Sequence, residues 1–167
     1  MANGLYRLDE FRDNCGFGLI AHTKGETSHR LLQTAVEALT CMTHRGGIAA
    51  DGKTGDGCGL LMQKPDAFLR SVAKDVCATS LPALYAVGVM MLSQDAESRA
   101  QSKRVVAEEL DRQGLALSGW REVPTDPECL GPIALETLPF IEHLFIAAPE
   151  GMDDKQFDAR LFIARRH

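Results

Sequence analysis

An α+β fold is what this sequence predicts, and three observations carry that reading. Apolar residues alternate at Phe17, Leu19 and Ala21, a helical apolar stripe runs from Leu31 to Met42, and strand-like and helix-like segments interleave through the rest of the 167 residues. Residues 16–22 therefore read as a strand, followed by a turn at Lys24, Gly25 and Glu26. Ser28 is placed to cap a helix in which Leu31, Leu32, Ala35, Val36, Leu39 and Met42 fall on one face. Arg45 lies in its expected last turn, and Gly46 and Gly47 end it. A glycine-dense loop, residues 51–57, feeds a short apolar run at 58–63 that reads as a second strand. Residues 65–73 read as helix, 84–92 as strand, 96–113 as an amphipathic helix ended by Gly114, and 115–123 as strand. Pro124, Pro127 and Pro132 punctuate a loop, residues 133–138 are ambiguous, 141–148 read as extended, and a helix starts at Asp153. With no repeats, low-complexity tracts or flexible linkers, the pattern is one interrupted domain in which residues 84–148 form an αβ insert.

Composition narrows the function classes. A hydrophobic content of 45% suits a chain with one core, and a formal charge of −5 offers no basic field for a phosphate backbone, so no nucleic-acid partner is expected. The leader, residues 1–14, carries Arg7, Asp9, Glu10, Arg12 and Asp13 instead of an apolar signal core. No later apolar run is long enough for a membrane span, and a cytoplasmic location is expected. Cys15, Cys41, Cys58, Cys77 and Cys129 are odd in number and widely spaced, which argues against both a disulfide framework and a zinc site.

Cys15 stands out because it separates that polar leader from the apolar run. Cleavage before it would leave a free α-amine, whose reference pKa of about 8 suits a general base at neutral pH, beside its own thiol. One residue would then supply both nucleophile and base. A buried thiol at a strand start accounts for the same residues equally well.

Residues 47–54 match the phosphate-binding pattern GxxxxGK[ST], but in the wrong setting. A helix precedes the loop where a strand is required, Gly55 and Gly57 oppose a helix after it, and Asp51 and Asp56 would repel phosphate. The match is expected to be accidental. The sequence His44, Arg45, Gly46, Gly47 is explained by a helix end, where basic groups meet the negative dipole and glycine caps. A functional reading would instead bring Arg45 and its adjacent backbone against the Cys15 region. His22, His29 and His143 lack partners at metal-ligand spacing, so no metal is expected, and Ser71 and Ser80 have no triad context.

Taken together, DNCGFGLIAH, MTHRGGIAADGKTGDGCGLLMQKP, SGWREVPT, LGPIAL and RLFIARR resemble, in order and spacing over nearly the whole chain, the amino-terminal glutaminase region of the glutamate synthase large subunit. The HRG element alone would point only to the wider class II glutamine amidotransferases. The resemblance implies an N-terminal-nucleophile hydrolase fold, a four-layer αββα sandwich present here in part, with residues 1–14 as a propeptide and Cys15 as the nucleophile. Arg45 and Gly46 are the candidate site support. It further implies that ammonia released from glutamine passes to 2-oxoglutarate at a flavin site, where the imine is reduced with electrons originating from NADPH. FMN and an iron-sulfur cluster belong to later regions of the large subunit, and FAD and NADPH to a small subunit. No cofactor is expected within this segment.

The family's pocket also uses an arginine-containing segment for the substrate carboxylate and an Asn-Gly pair as oxyanion hole. Neither occurs here, since Asn3-Gly4 lies in the leader. With a final helix that stops at Arg165, Arg166 and His167 without a glycine or proline, the chain reads as a fragment truncated at its C-terminus, comprising residues 15–167 of the amidotransferase domain. The competing reading is a noncatalytic interaction or regulatory module that retains part of this fold.

Overall fold

The structure, a computed structural model, describes residues 16–42, 46–55, 57–78 and 80–166. These fall into two compact units, one drawn from residues 1–62 and 130–133 and the other from 63–129 and 134–167.

In the first unit, Ser28 adopts an extended backbone and its hydroxyl oxygen accepts from the Leu31 amide at 3.2 Å, starting helix α1 (His29–Cys41). This satisfies one of the amides that a helix N-terminus leaves unpaired. Leu31, Leu32, Ala35 and Leu39 are half-buried along one stripe, whereas Val36 is exposed. The helix ends at Met42, whose amide bonds back to Leu39, and so stops before the Gly46-Gly47 pair expected to end it. Arg45 lies outside the described residues.

The expected strands at 16–22 and 58–63 do not form among the described residues. Phe17 is 91% exposed and Leu61 fully exposed, and neither segment has a partner strand among the described residues. Alternation specifies a strand only where another strand satisfies its backbone groups, so the pattern alone was insufficient.

The second unit is organised by one antiparallel sheet. Strands β1 (Tyr85–Leu92), β2 (Ala116–Glu122) and β3 (Phe140–Ala147) take the order β1-β3-β2, with the last strand in the centre. Central placement explains why β3 is the most buried strand although it carries Glu142 and His143: both its edges are paired, and helices cover both its faces. On one face Tyr85 and Phe145 pack with Leu69 and Ala73 of α2 (Asp66–Cys77). On the other, Leu144 and Ile146 pack with Leu110 of α3 (Ala96–Arg112) and Phe157 of α5 (Asp154–Arg166). The segment expected as an insert, 84–148, thus contains all three strands and α3, but its faces are closed by α2 and α5 from either side of it in sequence.

Local chemistry fixes these boundaries. Asp95 caps α3 by accepting from the Ser98 amide at 2.7 Å, and Gly114 follows the helix with φ +65°, a left-handed conformation that glycine adopts without steric cost. α2 runs past the expected end at Ala73 to Cys77 and closes with Ala78 in the left-handed region at φ 50°. The ambiguous stretch after Pro132 is helix α4 (Pro132–Glu136), with proline at its first position, where a missing amide costs nothing. No helix of the described residues is long and apolar enough to cross a membrane.

Two polar arrangements, one buried and one partly exposed, tie helices to the sheet of the second unit. Glu142, 6% exposed on β3, receives both oxygens' bonds from Lys103 Nζ at 2.8 and 3.0 Å, and the same ammonium lies 4.5 Å from the Trp120 ring. On the opposite face the Tyr85 hydroxyl donates to Asp66 at 2.8 Å, while Lys64 and Arg70 flank its ring at 4.0 and 4.8 Å. Burial, together with the adjacent Asp66 carboxylate, pushes the Tyr85 hydroxyl up to about 12.

Candidate functional site

Of the three residues that the sequence singles out, Cys15 and Arg45 lie outside the described residues. Gly46 is described, exposed, and sits at the foot of a hairpin-like loop. Its legs are joined by a bridge between Ile48 and Gly55, with the Ala49 amide donating to the Thr54 carbonyl at 2.7 Å. They approach so closely that a Cβ on Gly55 would stand 3.1 Å from the Gly47 carbonyl oxygen. At the tip, Gly52 takes φ +72° and its amide returns to the Ala49 carbonyl at 3.0 Å.

Asp51 occupies the interior of this loop. Its Oδ1 accepts from the amides of Lys53 at 3.0 Å and Thr54 at 2.8 Å, and its Oδ2 accepts from the Thr54 hydroxyl at 2.5 Å and the Ile133 amide at 3.4 Å. These donors, led by the Thr54 hydroxyl, hold the Asp51 carboxyl down to about 2. The phosphate-binding reading of residues 47–54 fails on this geometry. Amides at 53 and 54 that a phosphate would need are taken by a carboxylate, and the segment that follows is not helical. Sequence reasoning treated Asp51 only as a charge that would repel phosphate. The signal it missed was an aspartate two and three residues before backbone donors, a spacing that favours a side-chain-to-backbone turn.

The other singled-out groups have local roles. His22 accepts from the Glu26 amide at 3.2 Å through Nδ1, closing the turn around Gly25. His143 Nδ1 lies 3.4 Å from Arg121 Nη1 across the sheet, and burial followed by the Arg121 charge lowers its pKa. Among the described cysteines, Cys41, Cys58 and Cys129 are exposed. Cys77 is half-buried, donates to the Trp120 carbonyl at 3.4 Å, and has its thiol pKa raised by desolvation, which disfavours the reactive thiolate. Among the described residues, no group of three or more His, Cys, Asp or Glu side chains is arranged to hold a metal ion.

Residues 15–167 match the family of glutamine amidotransferases class-II. The chain is 36% identical to the NADPH glutamate synthase large chain of Bacillus subtilis, with 99% of this chain and 11% of that protein covered. It is 38% identical to ferredoxin-dependent glutamate synthase 2 of Synechocystis, over 95% of this chain and 10% of the relative. The NADH glutamate synthase of Schizosaccharomyces pombe is 32% identical over 96% of this chain and 8% of its own length. The chain thus spans about a tenth of the length of the curated relatives it matches.

Proposed function

Given that this chain belongs to the class-II glutamine amidotransferases, we propose that it is the amino-terminal part of the glutamine-hydrolysing domain of a glutamate synthase, with Cys15 as nucleophile. The observation that carries this reading is where the family match starts: at residue 15, the cysteine that the sequence singles out on chemical grounds.

The proposed reaction starts with removal of residues 1–14, which frees the Cys15 amine. That amine takes the thiol proton as Sγ attacks the side-chain carbonyl carbon of glutamine. It then delivers the proton to the departing nitrogen as the C–N bond breaks, giving ammonia and a thioester. Water, deprotonated by the same amine, attacks the thioester carbonyl and releases glutamate with a regenerated thiol. Arg45 and Gly46 support the site beside Cys15. The oxyanion and carboxylate donors, and the second sheet that completes a four-layer αββα sandwich, would come from sequence outside this chain.

The ammonia would serve reductive amination of 2-oxoglutarate in a cytoplasmic protein of the relatives' length. FMN and an iron-sulfur cluster would reside elsewhere in that large chain, and FAD and NADPH on a small subunit. Replacing Cys15 with alanine in the full-length protein is expected to abolish glutamine-dependent glutamate formation and to spare the ammonia-dependent reaction. Equal loss of both would contradict the division of labour.

A further inference from the structure

We propose that Asp51 is a positioning residue for the glutamine site, a clamp that holds the Gly46 loop against the Gly131–Ile133 segment. This inference rests on the reading of Arg45 and Gly46 as site support. Asp51 is neither nucleophile nor base: its carboxylate is fully engaged with protein donors, and it acts through the loop it closes.

Two connections meet on this side chain. Through Oδ1 it fixes the tip of the loop, and the tip fixes the legs, because the bond from the Ala49 amide to the Thr54 carbonyl and the bridge between Ile48 and Gly55 exist only when residues 50–53 turn tightly. Gly46 and Gly47 are the first residues of that leg, so the path of the chain leaving Arg45 is set four to five residues away by Asp51. Through Oδ2 it reaches the amide of Ile133, 82 residues on. The second connection is close as well as polar. A Cβ at Gly131 would lie 2.7 Å from the Thr54 nitrogen, so the Gly131 backbone rests directly on the turn that Asp51 closes. Only glycine permits that approach.

A site residue carried on a loop is only as well placed as the loop itself, and an error of about 1 Å in such a group is enough to cost on the order of 100-fold in rate. Here a charged acceptor shared by four donors restrains a loop that buries little apolar surface.

The test uses the full-length protein and three variants, Asp51→Ala, Asp51→Asn and Gly131→Ala, with Cys15→Ala as control. Glutamine-dependent turnover is normalised to the ammonia-dependent reaction of the same preparation. In Asp51→Ala the KM for glutamine is expected to rise about tenfold, more than kcat falls, as for a lost binding geometry. Asp51→Asn, which keeps an oxygen for the turn, restores most of that loss. Gly131→Ala, whose added Cβ presses on Thr54 from the far side of the contact and leaves the Asp51 side chain in place, shifts KM in the same direction and decides the matter if Asp51→Ala fails to fold. Unchanged KM in folded Asp51→Ala, or in Gly131→Ala, overturns the clamp while leaving the site reading intact. Glutamine-dependent activity surviving in Cys15→Ala overturns the site reading itself, and the clamp's role with it.

Discussion

Charge at single residues gives this chain an acid-sensitive loop and a pH-sensitive sheet. Asp51 titrates at about 2 in the folded state against an ordinary 3.8. A depressed carboxyl contributes stability that is complete above the unfolded value and is lost as pH falls through the folded one. The loop around residues 47–55 should therefore hold at pH 5 and loosen between about pH 4 and pH 2. Protection of the Thr54 amide, measured against its intrinsic exchange rate at each pH, should fall over that range in the wild type and be lost already at pH 6 in Asp51→Ala. For His143 the sign is opposite in origin but similar in effect. Its folded pKa is lowered from 6.5 by burial and by Arg121, so the unfolded chain binds the extra proton and stability falls as pH drops below about 6.5. Urea denaturation at pH 7.5 and pH 5.0 should show the difference shrinking in His143→Gln, and an unchanged difference would refute the assignment. Neither residue's role was legible in the sequence. Partners for Asp51 at position 133 and for His143 at position 121 are set by loop contact and strand pairing, which no local pattern encodes.

Among the elements, the best-read were those whose signal is self-contained. α1 carries its cap at Ser28 and α3 its cap at Asp95 and its glycine stop at Gly114, so both were legible from chemistry within a few residues. All three strands of the sheet were read in the sequence, β1 and β3 from their apolar runs, although their order was not: β3 enters between two strands that precede it in the chain. The strand expectations at 16–22 and 58–63 went wrong for the converse reason, since their apolar alternation has no partner strand among the described residues. Helix α2 and the sheet meet at Gly119, where an added Cβ would fall 2.8 Å from the Cys77 sulfur. Gly119→Val is expected to push α2 off the sheet and to lower stability by about 1–3 kcal/mol, the range for overpacking a filled core. On the opposite face, Lys103→Met would leave Glu142 buried without its cation and is expected to cost about 3–5 kcal/mol, measurable by equilibrium unfolding. A loss under about 1 kcal/mol, the range of an exposed ion pair, would contradict this role for the pair.

For the whole molecule, the family was legible and the architecture only partly so. Ordered motifs from DNCGFGLIAH to RLFIARR identified the class-II amidotransferases, and the family match over residues 15–167 agrees. The α+β composition followed from periodicity, whereas the flanking of one sheet by α2 on one face and by α3 and α5 on the other depends on packing between distant segments. Val89 and Met91, 61% and 73% exposed on the α2-facing side of β1, leave part of that face uncovered within these residues. A hydrophobic dye should accordingly bind the isolated 167-residue chain, and replacing both residues with threonine should reduce that binding.

The assignment of Cys15 as the glutamine nucleophile at a processed N-terminus can be tested in a single labelling measurement. The full-length protein is treated with an electrophilic glutamine analogue, with and without excess glutamine, and the labelled peptides are identified by mass spectrometry. Cys41, Cys58 and Cys129 are exposed and serve as internal controls for indiscriminate thiol reactivity. One adduct is expected, on a Cys15 that begins the mature chain, with protection of that residue by glutamine. Labelling spread over the exposed cysteines without protection, or an active protein that still begins at Met1 or Ala2, would contradict it.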